Sequence, residues 1–384
     1  MGVSRGRCTV PCPHPMDRWL AQACGAESMA ALPTRLRAAQ TEALNRILRH
    51  AARHSAFYAR HLAGCDLGMR EPEDLARLPF TTAAHLRDWR DFCCVSQGDV
   101  QRMVSLQTSG TTGAPKRLAF TERDLARTRD FFRVGMGQLV RAGQGLAVFL
   151  PGAERPDGVA DLLRRTLGPT GVIVEGLPSA IAVDMTPAGD ASRAHWLAEH
   201  RPQALVASPA QLEGLLRSFP RAAPPDLRGV LSSTDRLDPD LRQRLRAAWN
   251  RELLDHYGLT ESGFGCAVEC PAHDGYHLRA LDALLEVVDP RDGRPLPWGE
   301  TGEVVLTTLN REAMPLIRYR TGDIASLLPG PCRCGSPLPR LGPLLGRLDT
   351  DAGQGVRVVH PAKGGGASWA KQLDAARFPE GVGL

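Results

Sequence analysis

The sequence predicts an α/β fold: a parallel sheet covered by helices on both faces, followed by a smaller β-rich lobe. Three observations carry this. Between residues 146 and 258, short apolar runs alternate with helix-like segments, which is the pattern of strands joined by crossover helices. After residue 276 the helical segments give way to strand–turn–strand patterns. The chain has 384 residues, 43% hydrophobic and 23% charged, enough for a large core and more than one lobe.

In chain order, residues 1–34 read as a flexible leader in which Cys8, Cys12 and His14 are candidate metal ligands. Residues 35–62 predict a helix with Leu44, Ile47, Leu48, Ala51 and Ala52 on one face. LPFTT (78–82) is a turn, with Thr82 as the cap of a helix after it. Strands are predicted at 146–151, 172–176, 204–208, 227–233 and 252–258, and helices at 157–167, 192–200, 210–218 and 238–250. Ligands of such sheets sit beyond the carboxyl ends of the strands, where SSTD (232–235) and HYGLTE (256–261) fall. Residues 284–290 and 302–309 are strands of the second lobe. The expected organisation is a leader (1–34), an α/β core (35–275), a β-rich lobe (276–348) and a Gly-rich tail (349–384).

Composition narrows the function. The net charge of +5 comes without a basic block, so nucleic acid is not an expected partner. No apolar run is long enough to span a bilayer, and MGVSRGRCTV lacks the apolar region of a secretory signal. Gly6 stands where a myristoylation motif needs Ser or Thr. The expectation is a cytoplasmic protein whose ten cysteines are buried, reactive or metal-bound rather than paired in disulfides. Of the 47 basic Lys and Arg residues only Lys116, Lys363 and Lys371 are lysines, so Lys116 is the sole lysine in the first 362 residues.

That lysine closes SLQTSGTTGAPK (105–116). Small residues, hydroxyls, backbone N–H groups and one ammonium suit a polyphosphate. The spacing is not that of the kinase-type P-loop, because Pro115 precedes Lys116 and Arg117 follows it. A polar hairpin turn is the plainer reading of the same residues.

In the second lobe, ECPAHDGYH (269–277) and CRCG (332–335) place Cys270, His277, Cys332 and Cys334 as ligands of a structural Zn²⁺. His273 competes with His277 and Cys266 with Cys270, and free buried cysteines are the alternative.

TSGTTGAPK (108–116), YGLTE (257–261), RYRTGD (318–323) and GRLD (346–349) occur in the order found in adenylate-forming (AMP-binding) acyl/aryl-CoA synthetases, and the chain resembles that family over roughly residues 40–350. RILRHAARHSAFYARHL (46–62) and LARLPFTT (75–82) resemble its phenylacetate-CoA ligase branch, which includes zinc-bearing members. The resemblance implies that the fold is the large N-terminal domain of these enzymes. It implies that Thr108, Ser109, Gly110, Thr111, Thr112, Gly113 and Lys116 hold the β- and γ-phosphates of ATP, and that Ser233, Thr234 and Asp235 line the adenine pocket. It implies that Tyr257 stacks on adenine beside Gly258, Thr260 touches the α-phosphate, Glu261 holds Mg²⁺, Asp323 binds the ribose hydroxyls, and Arg347 lies near ribose or phosphate. SSTDRL (232–237) departs from the Gly-rich or acidic element usual at that place.

The implied chemistry is attack of a substrate carboxylate, an aryl acid being favoured, on the α-phosphorus of ATP. Lys116, Thr260 and Glu261 would act on the charge that builds up. The acyl pocket is expected between the strand end at 146–152 and the loop at 257–265, near Phe264. Related enzymes carry a mobile domain after the GRLD hinge. Here a short tail is expected, with Lys363 and Lys371 as its only lysines. Three outcomes are open: transfer of the acyl group to CoA or a carrier-protein thiol, with a separate partner domain supplying the missing part; transfer to an amine; or a nucleotide- or acyl-binding scaffold without catalysis. A lobe edge without its usual neighbour favours a homodimer or partner chain.

Overall fold

The computed structural model describes residues 14–106, 116–156, 158–349 and 357–359. Its helices are α1 (Pro15–Ala23), α2 (Leu32–His54), α3 (Ala56–His61), α4 (Trp89–Phe92), α5 (Glu122–Met136), α6 (Val159–Leu167), α7 (Ser179–Ala182), α8 (Pro187–His200), α9 (Pro209–Ser218) and α10 (Pro239–Trp249). Its strands are β1 (Arg102–Leu106), β2 (Lys116–Phe120), β3 (Gly145–Val148), β4 (Ile173–Gly176), β5 (Ala204–Ala207), β6 (Gly229–Ser232), β7 (Glu252–Tyr257), β8 (Ala267–Glu269), β9 (Tyr276–Leu278), β10 (Ala283–Val288), β11 (Thr301–Thr308), β12 (Tyr319–Leu328), β13 (Arg340–Leu341), β14 (Gly346–Asp349) and β15 (Arg357–Val359). They group into two compact units: residues 1–29, 125–279 and 331–338, and residues 30–124, 280–330 and 339–384.

The first unit holds a sheet in the order β4-β3-β5-β6-β7-β8-β9. The strands from β4 to β7 are parallel, and β8 and β9 add as an antiparallel edge. Side chains alternate across the sheet. Ala147, Leu205, Val230 and Leu253 face one cluster with Leu212, Leu215, Leu241 and Trp249 of the helices. Leu146, Val148, Val206 and Leu254 face the other, with Leu163, Leu167 and Met136. Both faces are therefore dry, which is why these strands read as short continuous apolar runs. Helix starts are written locally. Thr186, Ser208 and Asp238 cap α8, α9 and α10 with their side chains, each followed by a proline that is pre-set for the first turn. The strand order reverses at β3, with β4 on one side and β5 on the other, the kind of switch point at which sheets of this type bind ligands beyond their carboxyl ends.

The stretch read as a flexible leader carries α1. Met16 and Leu20, four residues apart, are fully buried, and the His14 ring accepts a hydrogen bond from the Met16 N–H. The Cys, Pro and His content of this stretch masked its one-sided apolar pattern. Cys8 and Cys12 lie outside the described residues.

In the second unit, β10, β11 and β12 form an antiparallel run; β13 and β14 pair with β12, and β15 with β14. β1 and β2 form a separate antiparallel pair. The predicted helix at 35–62 is two helices, because Ser55 is extended and caps α3 by accepting from the Tyr58 N–H. The LPFTT turn is tied down: Thr81 donates to the Ile317 carbonyl, and the Tyr58 hydroxyl accepts from the Ile317 N–H. Thr82 provides no side-chain cap; its N–H donates to the ring of His85 instead. Among the described residues no helix is long and apolar enough to cross a membrane.

Candidate functional site

In the first unit, β6 and β7 end side by side and deliver SSTD and HYGLTE to the carboxyl edge of the sheet. Ser233 is buried, and its Oγ lies 2.9 Å from Nε2 of His256. Thr234 follows at a φ of 78°, with Thr234 and Asp235 exposed. Tyr257 is buried, and the chain then turns sharply. The Ser262 hydroxyl accepts from the Leu259 N–H, the Phe264 N–H donates to the Leu259 carbonyl, and the Gly263 N–H donates to the Thr260 carbonyl. Gly258 permits this turn: a Cβ there would meet the Phe264 carbonyl oxygen at 2.6 Å. The result holds Thr260 and the buried carboxylate of Glu261 in a fixed loop.

Beside this loop lies a half-open apolar cavity. It is walled by Phe131, Phe132 and Met136 of α5, Val159 and Leu163 of α6, Val206 and Leu231 of the sheet, and Phe264 and Val268, with Ser233 and His256 as its polar members. Phe264 lines this cavity and residues 146–152 do not. Leu146 and Val148 are spent in the core beneath, packed with Leu163 and Val174. Burial pushes the pKa of His256 down to about 4, so its ring is neutral near pH 7. His256, Phe131 and Phe132 were not singled out by sequence. A half-buried histidine at the carboxyl end of β7, next to buried Asp255, was the available signal.

In the second unit, β1 and β2 are in register with Leu106 opposite Lys116, which is half-buried. Thr108, Ser109, Gly110, Thr111, Thr112 and Gly113 lie outside the described residues. Asp323 on β12 is buried and sits across from Arg347 on β14. Arg347 Nε lies 3.7 Å from Oδ1 of Asp323, and Arg347 also donates to the Thr321 carbonyl. The intervening Gly322 has a φ of 78°, and its N–H donates to Glu303, so TGD is a shaped bend and not an open turn.

Cys270, His277, Cys332 and Cys334 converge in the first unit, with their ligand atoms all within 4.8 Å of one another. Cys270 Sγ is 3.7 Å from Cys332 Sγ, and Cys334 Sγ is 3.6 Å from Nε2 of His277. The competing His273 is held elsewhere by Glu252 and Glu269, and Cys266 is not a member of the cluster. Without a cation these thiols resist ionisation: Cys334 is pushed up by its hydrogen bond with Cys270 and by burial, and Cys332 by burial. Such a donor set fits a soft divalent metal that stabilises thiolates. The His14 ring stacks on His277 at 4.1 Å, and Ser336 donates to Asp17, so α1 braces the cluster.

The family model described as AMP-binding enzyme matches residues 102–310. A phenylacetate-coenzyme A ligase of Thermus thermophilus is 33% identical over 333 residues, covering 82% of this chain and 71% of that protein. One from Pseudomonas putida is 31% identical over 358 residues, covering 88% and 75%. A crystal structure of 2-hydroxyisobutyryl-CoA ligase in complex with 2-HIB-AMP and CoA has a TM-score of 0.69 at 23% identity, covering 81% of this chain and 68% of that one. This similarity concerns the fold.

Proposed function

Since this chain belongs to the AMP-binding enzyme family and is an adenylate-forming ligase, we propose that it activates an aryl carboxylic acid as an acyl-adenylate and passes the acyl group to CoA. The observation that carries this reading is the apolar cavity at the carboxyl ends of β5, β6 and β7, beside the loop that holds Thr260 and Glu261. Such a cavity takes the apolar body of an acid and leaves its carboxylate at the polar rim. The relatives' names, phenylacetate-coenzyme A ligase, support an aryl acid and CoA as the acceptor.

Each residue then has a task. Thr108, Ser109, Gly110, Thr111, Thr112, Gly113 and Lys116 bind the β- and γ-phosphates, and Lys116 offsets charge on the departing pyrophosphate. Ser233 through its backbone, with Thr234, Asp235, Tyr257 and Gly258, contributes to the adenine side, Asp323 accepts from the ribose hydroxyls, and Arg347 lies toward ribose or phosphate. Thr260 meets the α-phosphate. Glu261 is a hard oxygen ligand suited to Mg²⁺, which when bound neutralises phosphate charge. No general base is required, because a carboxylic acid is ionised near neutral pH. The Cys270, His277, Cys332 and Cys334 set would hold a structural Zn²⁺, since four protein donors would leave an ion in that site no place for an activated water.

Carboxylate-dependent exchange of pyrophosphate into ATP tests this reading. Lys116→Ala should slow exchange by about a hundredfold, the scale of losing one charge-stabilising donor. Unchanged exchange would remove Lys116 from the phosphate site.

A further inference from the structure

The cavity described above is apolar on every side but one. Ten of its twelve lining residues are hydrocarbon, aromatic, thioether or glycine, and the exceptions, Ser233 and His256, are bonded to each other. They come from adjacent strand ends, β6 and β7, so they form one polar spot in the wall. The rest of the wall offers no polar side chain: Leu231, Val206 and Phe264 line it beside the pair.

We propose that Ser233 and His256 form a specificity element that selects acids whose apolar body carries a hydroxyl group, with Ser233 Oγ accepting the hydrogen bond from that hydroxyl. The proposal rests on the cavity being the acyl pocket of the adenylation reaction.

The hydrogen-bond inventory supports this direction. A serine hydroxyl has one donor and two acceptor lone pairs. If Ser233 donates to His256, both lone pairs remain. If His256 donates to Ser233, one lone pair is used and one remains. In either arrangement the pocket offers an acceptor. Burial keeps His256 uncharged, so the pair presents no net positive charge that would draw a second carboxylate into the pocket. The chemistry recognised is therefore a neutral donor on an otherwise apolar acid. When Ser233 donates to His256, the serine proton and the ring nitrogen satisfy each other in the empty pocket, so an unhydroxylated acid costs the site little. The expected discrimination is about tenfold, the worth of one net hydrogen bond, and not the far larger factor seen where a buried polar group would be left unpaired.

The test measures kcat/KM for pyrophosphate exchange with matched pairs of acids, plain and ring-hydroxylated, from the arylacetic, benzoic and cinnamic series. The full chain should favour a hydroxylated member over its plain partner by about tenfold. Ser233→Ala should bring that ratio close to one, and Ser233→Thr, which keeps the hydroxyl, should restore it. The ratio within one variant cancels any change in nucleotide affinity. Full-chain protein that favours no hydroxylated acid overturns the proposal, and so does a ratio that survives Ser233→Ala. If a variant fails to fold, the wild-type ratios alone decide. Exchange with plain and hydroxylated acids at equal rates sinks the polar pair and leaves the adenylation reading standing. No exchange with any acid overturns that reading and the proposal with it.

Discussion

His256 is a base held without its charge. Burial lowers its pKa from 6.5 to about 4. Between those values the unfolded chain takes up a proton that the folded one refuses, so this group's contribution to stability falls as pH falls through that window. His256→Gln should flatten part of the acid limb of stability. Denaturant unfolding at pH 7 and pH 4.5 checks this, and an equal loss in both proteins would contradict it. The neighbouring motif was legible because its residues have fixed backbone duties. Gly258 is the only residue type that clears the Phe264 carbonyl, so YGLTE marks a place in space as well as in sequence. Phe131 and Phe132 had no such mark. Their role depends on which way α5 faces, and a pair of adjacent aromatics does not state that.

In the first unit α6, α8, α9, α10 and β3 to β7 were legible for a physical reason, whereas α1, α5, α7, β8 and β9 were not read. Capping residues followed by proline mark α8, α9 and α10, and burial on both faces leaves β3, β5 and β6 almost wholly apolar. What holds neighbouring helices together was not legible. Arg193 is fully buried on α8 and bonded to Asp190, whose other carboxylate oxygen accepts from Arg217 of α9. Asp190→Ala leaves a buried guanidinium with its carbonyl acceptors Ile181 and Asp184 but without a carboxylate, and should destabilise by about 3–5 kcal/mol, seen as a lower midpoint in urea. A change below about 0.5 kcal/mol, the scale of an ordinary surface substitution, would show that the pair carries no such load. The Cys/His cluster joins β8, β9 and the distant segment 331–338. Purified protein should hold about one zinc per chain, matching four ligands around one ion. Chelation, or Cys332→Ser, should lower Tm and release α1 from its contact with His277. Metal analysis and protease susceptibility near residue 20 check this, and full stability in zinc-free protein would contradict a structural metal.

Across the whole molecule, each compact unit is assembled from stretches far apart in the chain. Boundaries read along the sequence follow changes of composition, whereas compactness follows contacts: residues 331–338 belong with the sheet of β3 to β9, and residues 30–124 with β10 to β15. Fold and reaction class were nonetheless legible together, because four ordered motifs constrain both. The central claim is that a carboxylate oxygen attacks the α-phosphorus. Its most direct test supplies an acid labelled with oxygen-18 in its carboxylate, together with ATP and CoA, and reads the nucleotide product by mass spectrometry. The account predicts AMP carrying one labelled oxygen, because the adenylate breaks at its acyl–oxygen bond. Unlabelled AMP, or ADP with the label in inorganic phosphate, would contradict it.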